Sequence, residues 1–175
     1  MSQVKTWVWA VLLVVVGAVA HRVTHPAGFS PILAIALFGA MVLPPSLALV
    51  VPLLSLFLGD LSLGFHDQMA VVYLSMIPMV AIGWILPSLN RQVKTWLSWG
   101  LAGLVACTLF FVTTNFAVWY STDLYPHTQQ GLADCYLMAI PFFHNSLLST
   151  WLYLAGFEFV RRIAPALVPA YATNR

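Results

Sequence analysis

The chain has 175 residues, 61% of them hydrophobic and only 7% charged, whereas an ordinary soluble domain is about 25% charged. A soluble single-core domain is excluded. With 14% aromatic residues, a mean hydropathy of +0.90 and apolar runs approaching the ~20 residues that cross ~30 Å of hydrocarbon, the sequence describes an all-α, polytopic membrane protein with six transmembrane helices. The net charge of +2 rests on too few residues to attract nucleic acid, so the charges inform by position instead.

Apolar segments run over about 6–21, 30–44, 46–65, 69–87, 96–118 and 138–160, forming one transmembrane domain over 1–175. The first has a long apolar core and ends on His21, Arg22, Thr24, His25 and Pro26 instead of a small-residue cleavage site, so it is expected to be retained. Pro44-Pro45 closes the short second segment and predicts a tight helical hairpin with the third. Six spans place both termini on one side, together with Lys5, Arg91, Lys94, Arg161, Arg162 and Arg175, while Arg22 falls opposite. The positive-inside rule then predicts cytoplasmic termini. On that topology Asp60, Asp67, Asp123, Asp134 and all five histidines gather at the outer face, with Glu158 alone near the inner end.

In the third segment Ala48, Pro52, Ser55, Gly59, Ser62 and His66 follow one another at spacings of four, three, four, three and four. They form one helical face of small or polar groups, suited to close helix packing or to lining a cavity. Asp60 sits inside an apolar run and needs a partner or a water-filled cavity; an ion pair with Arg22 is the simplest solution. Asn115 in the fifth segment offers two donors and an acceptor, for a ligand or for a neighbouring helix. The stretch Trp119 to Tyr136 is the longest non-apolar one, with Pro126 and Gly131 as turn formers. It is expected to be a long binding loop carrying Cys135, or else to place Trp119, Tyr120, Tyr125 and Tyr136 in an interfacial belt. Cys107 falls in mid-span, so no disulfide with Cys135 is expected. Pro141 is expected in the first turn of the last helix, and Ala36 with Ala40 form a small-residue packing pair.

No HExxH or CxxC motif is present, and His21 with His25 is the one helical i, i+4 histidine pair. Metal ligation is left open, no cofactor is implied, and no nucleophile and base stand in a catalytic motif. No GxxxxGK[ST] occurs either, so ATP-driven work would need a partner subunit.

His21-Arg22 followed by HPAGFSPILAIALFGA (25–40), DLSLGFH (60–66), TNFAVW (114–119) and YPHTQQGLADCYLMAIPFFHN (125–145) resemble, in order and over nearly the whole chain, an uncharacterised bacterial integral-membrane family. That family is in turn similar in length and span number to the substrate-binding subunits of energy-coupling-factor vitamin transporters. The resemblance implies a pocket near the outer face, with Arg22, His25, Asp60, His66, Asp67, Asn115, Trp119, Tyr125, Cys135, Tyr136 and Asn145 as its candidates. It implies a small vitamin-like solute, a cobalamin-type ligand being one candidate, and an energising membrane subunit with an ATPase as partners. The first span lacks the Ala-xxx-Ala pair by which those subunits dock, so Ala36 and Ala40 substitute for it or the protein acts alone. Where the family is often acidic in the last span, this chain has Ser149-Thr150. Two other readings are kept: a membrane metal-dependent enzyme using His66, Asp67, His127 and His144, and a ligand-free structural subunit.

Overall fold

A computed structural model describes residues 2–20, 23, 26–65, 67–89 and 95–165. Among them the chain forms six helices: α1 (Ser2–Ala20), α2 (Ile32–Val42), α3 (Pro45–Leu63), α4 (Met69–Leu89), α5 (Thr95–Ser121) and α6 (Gln129–Ile163). Three are long and apolar enough to cross a membrane, over Gln3–Ala20, Pro45–Ser62 and Trp96–Ser121; Ile32–Val42 and Met69–Ile85 are shorter apolar helices. The protein is therefore a multi-pass membrane protein. Its exposed apolar side chains, such as Val11, Leu61, Ile77, Leu101, Leu148 and Phe159, are distributed over α1 and α3 to α6, as helices facing lipid require.

The second helix departs from the expectation of a spanning segment. Its 11 residues rise only about 16 Å, half the ~30 Å of the hydrocarbon layer. Ten of its residues, Ile32 to Ala40 and Val42, are buried, and α1, α3, α4, α5 and α6 all pack against it. A helix buried along its length and contacted by five neighbours lies inside the bundle, where its all-round apolar surface meets protein. Phe38 at its centre meets Trp9 of α1 at 5.1 Å, Trp99 of α5 at 6.1 Å and Phe157 of α6 at 5.4 Å between ring centroids, spacings at which aromatic pairs attract. The Ala36 and Ala40 pair lies in this core, fully buried, so it is spent on internal packing and offers no docking surface.

Close approach is made by small residues. A Cβ on Gly83 of α4 would stand 2.6 Å from the Leu37 carbonyl oxygen and 2.7 Å from Ala40 Cβ, so α4 lies against the α2 backbone itself. Between α1 and α3 a Cβ on Gly17 would stand 2.6 Å from Ser55 Cβ, and Ser55 turns its hydroxyl back to the Val51 carbonyl at 2.9 Å. The small-residue face of α3 thus serves helix packing at Ala48 and Ser55, both buried. Pro45 starts α3 immediately after the extended Pro44, giving the tight hairpin that the sequence indicates.

The final helix corrects two expectations. Its 35 residues rise about 52 Å, and it begins at Gln129, so the stretch 119–136 is not a long loop. Helix α5 continues to Ser121, residues 122–128 make the connection, and Cys135 is a buried helical residue. The polar residues Gln129, Gln130 and Asp134 had hidden the helix from a hydropathy reading. Thr128 caps it, its hydroxyl accepting from Gly131 N at 3.1 Å. Pro141 lies well inside the helix instead of in its first turn. Pairings of Gly100 with Trp151, Cys107 with Ser146, Val112 with Tyr136 and Asn115 with Cys135 run in opposite chain directions, so α5 and α6 are antiparallel.

Replacing Gly83 with Ala should drive α4 off α2 and cost roughly 1–3 kcal/mol, as overpacking does. Gly156→Ala is the control, since nothing lies within 4 Å of its added Cβ and the change removes a helix-interior glycine, for a gain of up to about 1 kcal/mol. Thermal unfolding in detergent should place the two midpoints on opposite sides of the parent's.

Candidate functional site

The segment 26–30 enters α2 through a turn closed by Phe29 N donating to Pro26 O at 2.9 Å. Gly28 has φ +82°, which a side chain resists and which the third position of a type II turn requires. A Cβ there would also stand 2.6 Å from the Phe142 carbonyl oxygen of α6. Helix α6 holds this turn by three successive polar side chains. Asn145 Nδ2 donates to Ala27 O at 2.8 Å, Ser146 Oγ donates to Gly28 O at 2.9 Å, and Ser149 Oγ donates to Ser30 O at 3.0 Å. Ser30 N completes the set by donating back to Ser149 Oγ at 3.2 Å. Ser149 is fully buried, so the position where the resemblance suggested an acid holds a main-chain strap instead.

Two cavities adjoin this turn. One of about 190 Å³ lies between it and the α5–α6 pair, lined by Phe110, Phe111, Thr114, Asn115, Phe142 and Phe143, with Gly28, Cys107 and Ser146. The other, of about 170 Å³, runs toward α2, α3 and α4, reaching Ser30, Ile32, Leu33, Leu56 and Val72. Gly28, Phe110 and Ser146 line both. Among the described residues the walls carry no Asp, Glu, Lys, Arg or His, and Cys107 brings the one thiol.

Polar groups on the α5 wall are largely committed to their own helix. Thr114 Oγ1 donates to Phe110 O at 2.7 Å and Asn115 Nδ2 to Phe111 O at 2.8 Å. Thr113, Ser121 and Thr122 make the same bond to carbonyls three or four residues back. Such back-bonding satisfies a hydroxyl or an amide where water is scarce. It leaves acceptors: Asn115 Oδ1 makes no hydrogen bond among the described residues, and each hydroxyl oxygen keeps a lone pair.

The expected site residues separate into groups. Asn115 lines the cavity, with Cys135 Sγ against its main-chain oxygen at 3.4 Å. Tyr136 donates to Val112 O at 2.8 Å and rests on Phe111, ring centroids 5.5 Å apart. Asn145 holds the adjoining turn. Trp119 belongs to the α5–α6 connection, where Nε1 donates to Pro126 O at 3.0 Å and the ring meets His127 edge-on at 5.5 Å. Gly131 is required there because a Cβ would run into that same Pro126 carbonyl. Tyr125 is half-buried in the same connection, and Asp67 is exposed in the α3–α4 turn. Asp60, 5% exposed, accepts from Tyr73 Oη at 2.7 Å, a partner on α4 that sequence reading did not supply. Arg22, His25 and His66 lie outside the described residues, as does the proposed Asp60–Arg22 pair. Glu158 is paired within its own helix: Arg161 grips it through Nε at 2.7 Å and Nη2 at 2.6 Å, and Arg162 Nε adds a bond at 2.8 Å.

Missed by sequence reading were Gly28, Cys107, Phe110, Phe111, Thr114, Phe142, Phe143 and Ser146 as cavity walls. The adjoining Asn145-Ser146 and the Gly-Phe-Ser of the turn were the available signal. Among the described residues no group of three or more His, Cys, Asp or Glu could hold a metal ion.

The chain belongs to a family of unknown function, DUF6580, whose family model matches residues 2–167. No curated protein and no solved structure matches it.

Removing the donor to a buried carboxylate costs about 1–3 kcal/mol. Tyr73→Phe should therefore lower the unfolding midpoint, and Asp60→Asn should recover part of the loss in the double variant. Simple additivity of the two single changes would contradict a direct Tyr73–Asp60 bond.

Proposed function

We propose that this protein is a membrane substrate-binding protein for a small, uncharged, ring-bearing solute, vitamin-like in chemistry, taken into the paired cavities beneath the 26–30 turn. The observation that carries this reading is the lining. Among the described residues, four phenylalanines, one amide and three hydroxyls surround the space, and no charged residue does. A charged ligand would leave its ion unpaired at high cost. A flat ring meets Phe110, Phe111, Phe142 and Phe143, while its N–H or O–H groups donate to Asn115 Oδ1 and the hydroxyl oxygens.

Pockets for drug-sized ligands measure about 300–1,000 Å³. Cavities of about 190 and 170 Å³ together reach the lower part of that range and favour a ligand well below the size of a corrinoid. The resemblance of the sequence to vitamin-binding transporter subunits suggests a pocket toward the outer face and uptake as the task. Any energising subunit would have to dock on a surface other than Ala36 and Ala40, which are buried.

A structural subunit is the second reading, favoured by the number of polar groups that tie the chain to itself: Trp119, Tyr136, Asn145, Ser146 and Ser149 all donate to main-chain oxygens. Asn115→Ala separates the two. Screening the purified chain by thermal shift against uncharged ring-bearing solutes and their anionic analogues should find stabilisation by uncharged compounds only. Asn115→Ala should weaken that binding about tenfold, the worth of one buried hydrogen bond, with Thr113→Val unaffected. A large fall in the Asn115→Ala midpoint without ligand, and no stabiliser of the parent, would favour the structural reading.

A further inference from the structure

At the opposite end of the α5–α6 pair lies a groove of about 270 Å³, lined by Trp96, Trp99, Gly100, Trp151, Leu154 and Ala155, with Glu158 and Arg162 at its margin. Trp99 and Leu154 are buried and form its floor, whereas Trp96 and Trp151 are exposed. Trp151 is fixed by Nε1 donating to Gly100 O at 3.1 Å, so the groove is held open by a bonded side chain.

Its charged margin is not neutral. Glu158 is buried and already satisfied by the two-point grip of Arg161, which leaves Arg162 as the uncompensated charge. Only Nε of Arg162 is engaged, at 2.8 Å to Glu158 Oε1, and its side chain is 62% exposed. The terminal NH2 groups of Arg162 make no hydrogen bond among the described residues. Two donors in fixed orientation beside an apolar slot match a phosphate attached to a hydrocarbon chain. Trp96 stands exposed at the start of α5, and exposed tryptophans at the ends of membrane helices mark the depth at which lipid headgroups lie.

We infer that this groove is a binding site for an anionic phospholipid, with the phosphate on Arg162 and one acyl chain between Trp96 and Trp151 over the Trp99 floor. The site is independent of the solute cavities, sharing no lining residue with them. It selects by charge at the margin and takes hydrocarbon in the slot.

The test is native mass spectrometry of the full-length, delipidated chain titrated with phosphatidylglycerol or phosphatidylcholine of the same acyl composition. The parent should retain one phosphatidylglycerol with about fivefold preference over phosphatidylcholine, the effect of one well-placed basic residue near anionic lipid. Arg162→Gln should abolish the preference, while Arg161 keeps Glu158 paired. Trp96→Ala, at an exposed position, should weaken both lipids and keep the preference. Equal retention of the two lipids by the parent would overturn the proposal. So would a preference that survives Arg162→Gln, or lipid binding that Trp96→Ala leaves unchanged; should Arg162→Gln fail to fold, the parent titration and Trp96→Ala decide.

Discussion

The structure depends on the attachment of one short turn to one long helix. Residues 27–30 turn main-chain carbonyls toward α6, Ala27 and Gly28 at the surface and Ser30 half-buried. Asn145, Ser146 and Ser149 satisfy three of those carbonyls, and the absence of a side chain at Gly28 brings α6 within reach. Once the turn is held, the position of α2 follows, because Ile32 begins two residues later. A helix of 11 residues that cannot cross the membrane alone is thus placed in the centre of five others, and Phe38 joins their aromatic side chains.

The same turn bounds the candidate site. Gly28 and Ser146 stand between two small cavities, so the groups that secure the fold also shape the space where a solute would bind. Around that space the protein disposes of its polar donors first. Threonines and Asn115 on α5 return their hydrogens to their own helix, and Ser146 gives its hydrogen to the turn. What remains exposed to the cavity is aromatic surface and acceptor oxygen, the combination on which the proposal of an uncharged, donor-bearing ring rests.

Much of this was legible from local pattern. Pro44-Pro45 marks the hairpin, the small-residue spacing of the third helix marks a packing face, and the isolation of Asp60 demands a partner. The partner itself was not legible, since Tyr73 reaches Asp60 only after the chain has turned from α3 into α4. Hydropathy also misplaced the start of the last helix, because Gln129 to Asp134 are polar yet are made helical by the Thr128 cap and by the fit of Gly131 against Pro126. The expected sites gathered polar and titratable residues, but the cavity walls are mostly apolar, with four phenylalanines among them. In a chain with 11 phenylalanines, composition cannot say which four meet around one space. Asn145 was expected among the pocket residues; that its amide donates to a glycine-containing turn more than a hundred residues earlier is a property of the tertiary fold.

The central claim, that the paired cavities hold a small uncharged solute, is tested most directly by native mass spectrometry of the gently solubilised parent, with metal analysis on the same sample. The account predicts one bound organic molecule, uncharged and smaller than a corrinoid, released from the parent on mild activation and retained at lower occupancy by Asn115→Ala. Stoichiometric metal without an organic ligand, or a bound solute retained equally by Asn115→Ala, would contradict it.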